Sequence, residues 1–256
     1  MIRRQTLRLL GATVCLGLLA ACGGSDDDSF DDRADVADPK VRFVHAVPGG
    51  PNVTLWRNGS VESDATNVAY KEASQYYDVS TEIYTFVLRT ADGSIELDST
   101  EFRADRGNRY TLVALPTDNG VELLTIRDPY NKSVTSDDAR VRVMNAAVNA
   151  PAFDVYITGV DDDLSNESAD LANVTYKDVA PESGDDSIDM ERGDYRLRLT
   201  LPGDKDAFFD VNVSVPEDGD WLLVVLPEDT TPNNVRVLLV RADDSDDATD
   251  ELVDGD

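Results

Sequence analysis

The chain has 256 residues, with 51 acidic against 23 basic side chains and a single histidine, for a formal net charge of −28. A surface this acidic excludes nucleic acid as a partner, because binding there needs lysine and arginine to displace counterions. The two cysteines, Cys15 and Cys22, both precede the body of the chain, which can therefore form neither a disulfide nor a thiolate site.

Residues 1–21 read as an export signal. Arg3, Arg4 and Arg8 supply a positive start, and an apolar run follows from Leu9 to Leu19. That run is shorter than the roughly 20 residues a membrane-spanning helix needs. It closes in Leu19-Ala20-Ala21-Cys22, which resembles the bacterial lipobox. The resemblance implies cleavage before Cys22, acylation of that residue, and a membrane anchor of several acyl chains. Gly23 rather than Asp follows the cysteine, which by resemblance to sorting in enteric bacteria points to the outer membrane. Removing the leader removes three arginines and no acids, so −28 becomes −31.

Residues 22–39 hold seven aspartates and one aromatic residue, too little apolar surface to order, and are expected to form a flexible acidic tether. From Lys40 the texture changes to short β-rich runs between turn residues. Lys40–Val44 alternates polar and apolar residues, Val53–Trp56 leads to an Asn58-Gly59 hairpin dipeptide, and Ile83–Arg89 turns through Asp92-Gly93. Tyr110–Leu115 and Val121–Ile126 complete a first module over 40–130. The pattern predicts an antiparallel β-sandwich of about seven strands, with no sustained helical period.

The pattern then returns. Val41-Arg42-Phe43-Val44 recurs as Val141-Arg142-Val143-Met144, and Asn67-Val68-Ala69-Tyr70-Lys71 as Asn173-Val174-Thr175-Tyr176-Lys177. Tyr84 recurs at Tyr195, and Tyr110 through Pro116 as Trp221 through Pro227. The growing offset places insertions in loops, first at Asp161–Glu167 and then near Glu182. The expectation is two tandem immunoglobulin-like or transthyretin-like antiparallel β-sandwich modules, at 40–130 and 140–243. A linker at 131–139 joins them, and an acidic disordered tail at 244–256 follows. The net charge is uneven, −4 over 40–130 and −12 over 140–242. The anchor, with no catalytic motif beyond it, suggests a tethered, repelling, two-module rod, the relative orientation of the modules being left open.

The opening Val41-Arg42-Phe43-Val44-His45-Ala46-Val47-Pro48, followed by Pro51-Asn52-Val53 and a strand ending at Gly59, resembles the bacterial domain-of-unknown-function family numbered 4397. The resemblance extends over both modules, though the second has Asn145 for His45 and Val148 for Pro48. It implies an envelope-exposed β-sandwich, often in lipoproteins, and brings no catalytic residue.

Candidate sites are few. His45, the only histidine, cannot build a zinc site or a His-paired nucleophile, and its exchange for Asn145 suits a side chain bonding the backbone of a turn. Asp161, Asp163, Asn166 and Glu167 offer hard oxygens for calcium, without EF-hand spacing. Tyr70, Tyr76 and Tyr77 with Trp56 could form an aromatic sugar platform, or pack beside the cores. The leading expectation is a lipid-anchored envelope protein, not an enzyme, acting as a structural or binding ectodomain toward a protein or polysaccharide partner. The alternative is a calcium-dependent adhesion or scaffold module, and a third is a glycan-directed hydrolase, which would need two carboxyls converging in a cleft.

Overall fold

The computed structural model describes residues 37–129, 136–184, 187–242 and 248–255. Cys22, the leader, nearly all of the tether and most of the linker lie outside them.

The first module contains β1 (Lys40–His45), β2 (Val53–Arg57), β3 (Ser60–Val61), β4 (Tyr77–Asp78), β5 (Ile83–Thr90), β6 (Glu96–Arg103), β7 (Asn108–Thr117) and β8 (Gly120–Pro129). The second contains β9 (Ala139–Asn145), β10 (Ala152–Gly159), β11 (Leu171–Thr175), β12 (Val179–Ala180), β13 (Ile188–Met190), β14 (Gly193–Thr200), β15 (Ala207–Val215), β16 (Asp220–Pro227), β17 (Val235–Arg241) and β18 (Thr249–Leu252). The fold is all-β and mostly antiparallel. In the first module β4-β1-β7-β8 faces β3-β2-β5-β6; in the second β12-β9-β16-β17-β18, with β13 also on β9, faces β11-β10-β14-β15. One parallel pair stands in each module, β1 with β7 and β9 with β16, which the antiparallel expectation did not include. The Asn58-Gly59 turn forms as its composition demands, with φ of 49° and 82° at its two residues.

The four sheets enclose three apolar layers. Val41, Phe43, Leu112 and Ala114 point into the first module's core, and Val141, Val143, Leu223 and Val225 into the second's. The alternate residues of the same strands point the other way. Val44, Val113 and Leu115 meet Met144, Val224 and Leu226 in a third cluster shared by both modules. Strands buried on both faces read as unbroken apolar runs, which is the texture of β7 and β16. The modules are therefore stacked face to face and are not strung out as a rod.

The tail departs from the expected disorder at Thr249–Leu252, which forms β18 on the edge of β17. Leu252 packs against the second core, while Arg241 pairs with Asp250 at 3.1 Å and Arg236 with Glu251 at 2.8 Å. Basic residues on β17 thus neutralise an acidic segment that would not order alone.

Leu115 and Leu226 occupy matching places in the shared layer and are fully buried. Substituting either by alanine is expected to destabilise the whole chain by about 2–5 kcal/mol, measured by urea denaturation. A loss under about 1 kcal/mol would show that the layer is loosely packed.

Candidate functional site

The repeated residues of the two modules exchange contacts across the shared layer. Tyr70 donates to the Pro227 carbonyl at 3.5 Å, and its counterpart Tyr176 donates to the Pro116 carbonyl at 2.5 Å. Arg42 donates to the Arg241 carbonyl at 3.1 Å, and its counterpart Arg142 to the Arg127 carbonyl at 3.4 Å. Lys71 pairs with Glu251 and Lys177 with Glu122. Such reciprocity is the mark of an isologous interface, here formed within one chain.

Local backbone explains how the lysines get there. Lys71 and Lys177 both lie in the left-handed region, at φ of 69° and 73°, which disfavours a residue with a β-carbon. Each is held by its amide, donated to the carbonyl of His45 or of Asn145. The side chains of those two residues fasten the neighbouring turn. His45 Nδ1 accepts from the Val47 amide at 3.2 Å and Nε2 donates to the Pro51 carbonyl at 3.0 Å. Asn145 Oδ1 accepts from Ala147 at 3.0 Å and Nδ2 donates to the Ala150 carbonyl at 2.8 Å. Burial lowers the His45 pKa, which keeps the ring neutral and able both to donate and to accept. The histidine is a turn brace, as its exchange for asparagine indicates.

The reciprocity breaks at one point. Glu122 on β8 corresponds to Arg236 on β17, so Lys71 would face a cation where Lys177 finds an anion. Glu251 on β18 stands between them, at 2.9 Å from Lys71 and 2.8 Å from Arg236. The opposite end of the interface is ionic as well. Arg109 pairs with Asp220 at 2.8 Å, Arg142 pairs with Asp128, and Tyr76 lies beneath the guanidinium groups of Arg42 and Arg109.

The aromatic platform is not assembled. Tyr70 lies at the interface, Tyr76 belongs to the arginine cluster, Tyr77 packs against the first core, and Trp56 is half-buried on β2, with the Arg89 guanidinium 5.1 Å from its ring centre. Nor do the expected calcium ligands converge: among the described residues no three acidic or histidine side chains could hold a metal ion. Asp163 Oδ1 instead caps a short 3₁₀ turn at the Ser165 amide, and the main chain of the loop is fastened by Arg198 to the Asp162 carbonyl and by Lys205 to the Glu167 carbonyl. Asn166 closes that turn by donating its amide to the Asp163 carbonyl.

The first module carries a cleft of about 560 Å³ beside β3 and β4, lined by Asp38, Arg57, Asn58, Ser60, Val61, Asp78, Val79, Ser80 and Tyr84. Sequence reasoning did not single out these residues. Behind them Arg57 Nε pairs with Glu62 at 2.9 Å and its guanidinium lies over the rings of Tyr77 and Tyr84. Burial raises the Glu62 pKa against the opposing pull of Arg57, and burial also pushes the Tyr77 hydroxyl well above its usual value. Two further clefts, of about 510 and 590 Å³, flank Lys177 at the module boundary.

A family model described as a domain of unknown function (DUF4397) matches residues 39–156, spanning the first module and the opening strands of the second. No curated protein matches the chain. Among solved structures it is similar to a family 26 carbohydrate-binding module of Eubacterium rectale Amy13K in complex with maltoheptaose, at 8% identity and a TM-score of 0.25 over 82% of this chain and 100% of that one. It is also similar to an α-glucan-binding streptococcal virulence factor, at 14% identity and a TM-score of 0.23 over 73% and 93%. A third likeness is to family 41 carbohydrate-binding modules of streptococcal virulence factors, at 12% identity and a TM-score of 0.23 over 77% and 97%.

Hydrogen bonding from Lys71, with help from Arg236, holds the Glu251 carboxyl below its ordinary value of 4.5. The stability this adds is present above pH 4.5 and is lost as pH falls through the lower folded value. Glu251→Gln is therefore expected to lower the urea midpoint at pH 7 and to flatten the decline below pH 4.5. An unchanged acid limb would show that Glu251 does not bridge the modules.

Proposed function

We propose that the chain is a lipid-anchored protein of the bacterial cell envelope, held in the outer membrane by an acylated Cys22. Its two stacked modules act as a non-enzymatic binding ectodomain toward a polysaccharide or a protein partner. In this reading the second module is a second copy of the family that matches the first, and residues 22–39 hold the stack off the lipid surface.

The observation that carries the proposal is the apolar layer shared by the modules. It fixes two sandwiches as one unit, so that their clefts and outer faces meet a partner in one arrangement rather than through a hinge. Rigid presentation favours binding because less freedom is lost on association. The hydrolase reading has less support. The carboxyls whose pKa burial raises, Glu62 and Asp170, stand in different modules, and neither lines the clefts described above. The calcium reading lacks an assembled ligand cage among the described residues.

Expressed in a Gram-negative host, the full chain is expected to fractionate with membranes and to incorporate labelled palmitate, and Cys22→Ser to abolish the label and release the protein to the soluble fraction. Membrane retention of Cys22→Ser without label would overturn the anchor.

A further inference from the structure

The same fold occurs twice in this chain, so each position in one module has a control in the other. Arg57 pairs across β5 with Phe86, and Ile157 across β14 with the matching Leu197. Tyr77 pairs with Val41, and Ile188 with the matching Val141. Glu62 and Asp163 each precede a short 3₁₀ turn. The second module fills these places conventionally: Ile157 and Ile188 pack against its core, and Asp163 caps its turn.

The first module does something else with them. Glu62 makes no capping hydrogen bond, is 4% exposed, and turns to Arg57. Its Oε2 atom is the one that meets Arg57 Nε at 2.9 Å, and the Tyr77 hydroxyl is buried without a hydrogen-bond partner. The fold does not require the pair, because the second module builds the same places from Ile157 and a capping Asp163. Unsatisfied buried polar atoms call for a partner, and a cleft of about 560 Å³ opens on the other side of Arg57.

We propose that this cleft of the first module binds a neutral, hydroxyl-rich glycan segment, with Arg57 held in place by Glu62 as its central donor. The lining sets the class. Asp38 and Asp78 outnumber the one cation, which disfavours an anionic ligand on a chain already at −28. Asn58, Ser60 and Ser80 add groups that donate and accept, and a hydroxyl also does both. Val61, which is exposed, offers an apolar patch to the carbon face of a sugar ring, and the volume falls within the range of small-ligand sites. The inference rests on the reading of the stack as a binding ectodomain and adds to it the site and the ligand class.

The test uses the full chain on an array of neutral hexose oligosaccharides set beside uronic-acid and sulfated ones. The triple variant Arg57→Ile, Glu62→Asp, Tyr77→Ile writes the second module's residues into the first. A neutral oligosaccharide is expected to be retained, and the triple variant to bind it weaker by on the order of tenfold or more, with Tm unchanged or raised. Ser80→Leu, which narrows the cleft from its exposed rim without touching the ion pair, is expected to weaken binding as well. Full binding by both variants would move the site elsewhere while leaving the ectodomain reading intact. Retention of charged glycans alone, or of none, would overturn the ligand class. A lowered Tm in the triple variant with binding retained would return Arg57 and Glu62 to a structural role. The anchor is judged separately, by fractionation of Cys22→Ser.

Discussion

The apolar layer between β1-β7-β8 and β9-β16-β17 is the constraint from which the rest follows. Both modules are acidic, at −4 over 40–130 and −12 over 140–242, and left to charge alone they would separate. Thirteen buried residues fill the layer among the described residues, eleven of them larger than alanine. At about 1 kcal/mol each, below the usual value for burying such a side chain, they outweigh several unfavourable charge pairs screened by solvent. Ion pairs cross the boundary and offset part of the repulsion where the modules are closest, among them Lys71–Glu251, Lys177–Glu122, Arg109–Asp220 and Arg142–Asp128. The layer also explains the parallel pairs. A strand such as β7 must bury both faces, and a place beside β1 in the middle of the stack gives it neighbours on each.

The near-symmetry of the interface makes its departures informative. An isologous contact should place like residues in like roles, and Tyr70 with Tyr176 and Arg42 with Arg142 do so. Where the copies have diverged, something else compensates. The exchange of Glu122 for Arg236 is answered by Glu251, which brings a strand of the acidic tail onto the edge of β17. Among the described residues the corresponding edge of β8 has no added strand and is blunted by side chains and a loop. Asp98 accepts from the Leu123 amide at 2.7 Å, and Ser183 from the Arg127 amide at 2.8 Å. Both solutions close an edge that would otherwise recruit another chain. The exchange of Ile157 for Arg57 is answered by Glu62, whereas the exchange of Ile188 for Tyr77 leaves a buried hydroxyl without a hydrogen-bond partner.

Much of the fold was legible in the residues. The period-two runs and the Asn58-Gly59 turn marked strands, and the recurrence of segments in order pointed to two modules of like strand order. The stacking was legible in principle and was missed. Leu112–Leu115 and Trp221–Leu226 are unbroken apolar runs, whereas a strand with one wet face alternates, and only a second buried face accounts for the difference. The repeat of Tyr-Lys at 70–71 and 176–177 was visible too, yet its meaning depended on which surface those turns faced. Strand β18 was hidden because composition alone describes Thr249–Leu252 as solvated, and the basic residues that neutralise it lie on β17 and in the Lys71 turn of the first module. The cleft was barely legible. Of Arg57, Glu62 and Tyr77 only Tyr77 stood among the candidates, in a different grouping, and the comparison with Ile157, Asp163 and Ile188 in three dimensions sets the three apart.

The central claim is that the shared layer makes the two modules one cooperative unit. The chain contains two tryptophans, Trp56 in the first module and Trp221 in the second. Fluorescence-detected urea denaturation of the Trp56→Phe and Trp221→Phe variants therefore reports each module alone within the full chain. Each curve is referred to the far-UV circular dichroism of its own variant. The account predicts that in each variant the remaining tryptophan and the circular dichroism trace one coincident transition. A tryptophan signal that precedes or follows the circular dichroism, with an intermediate holding one module folded, would contradict it.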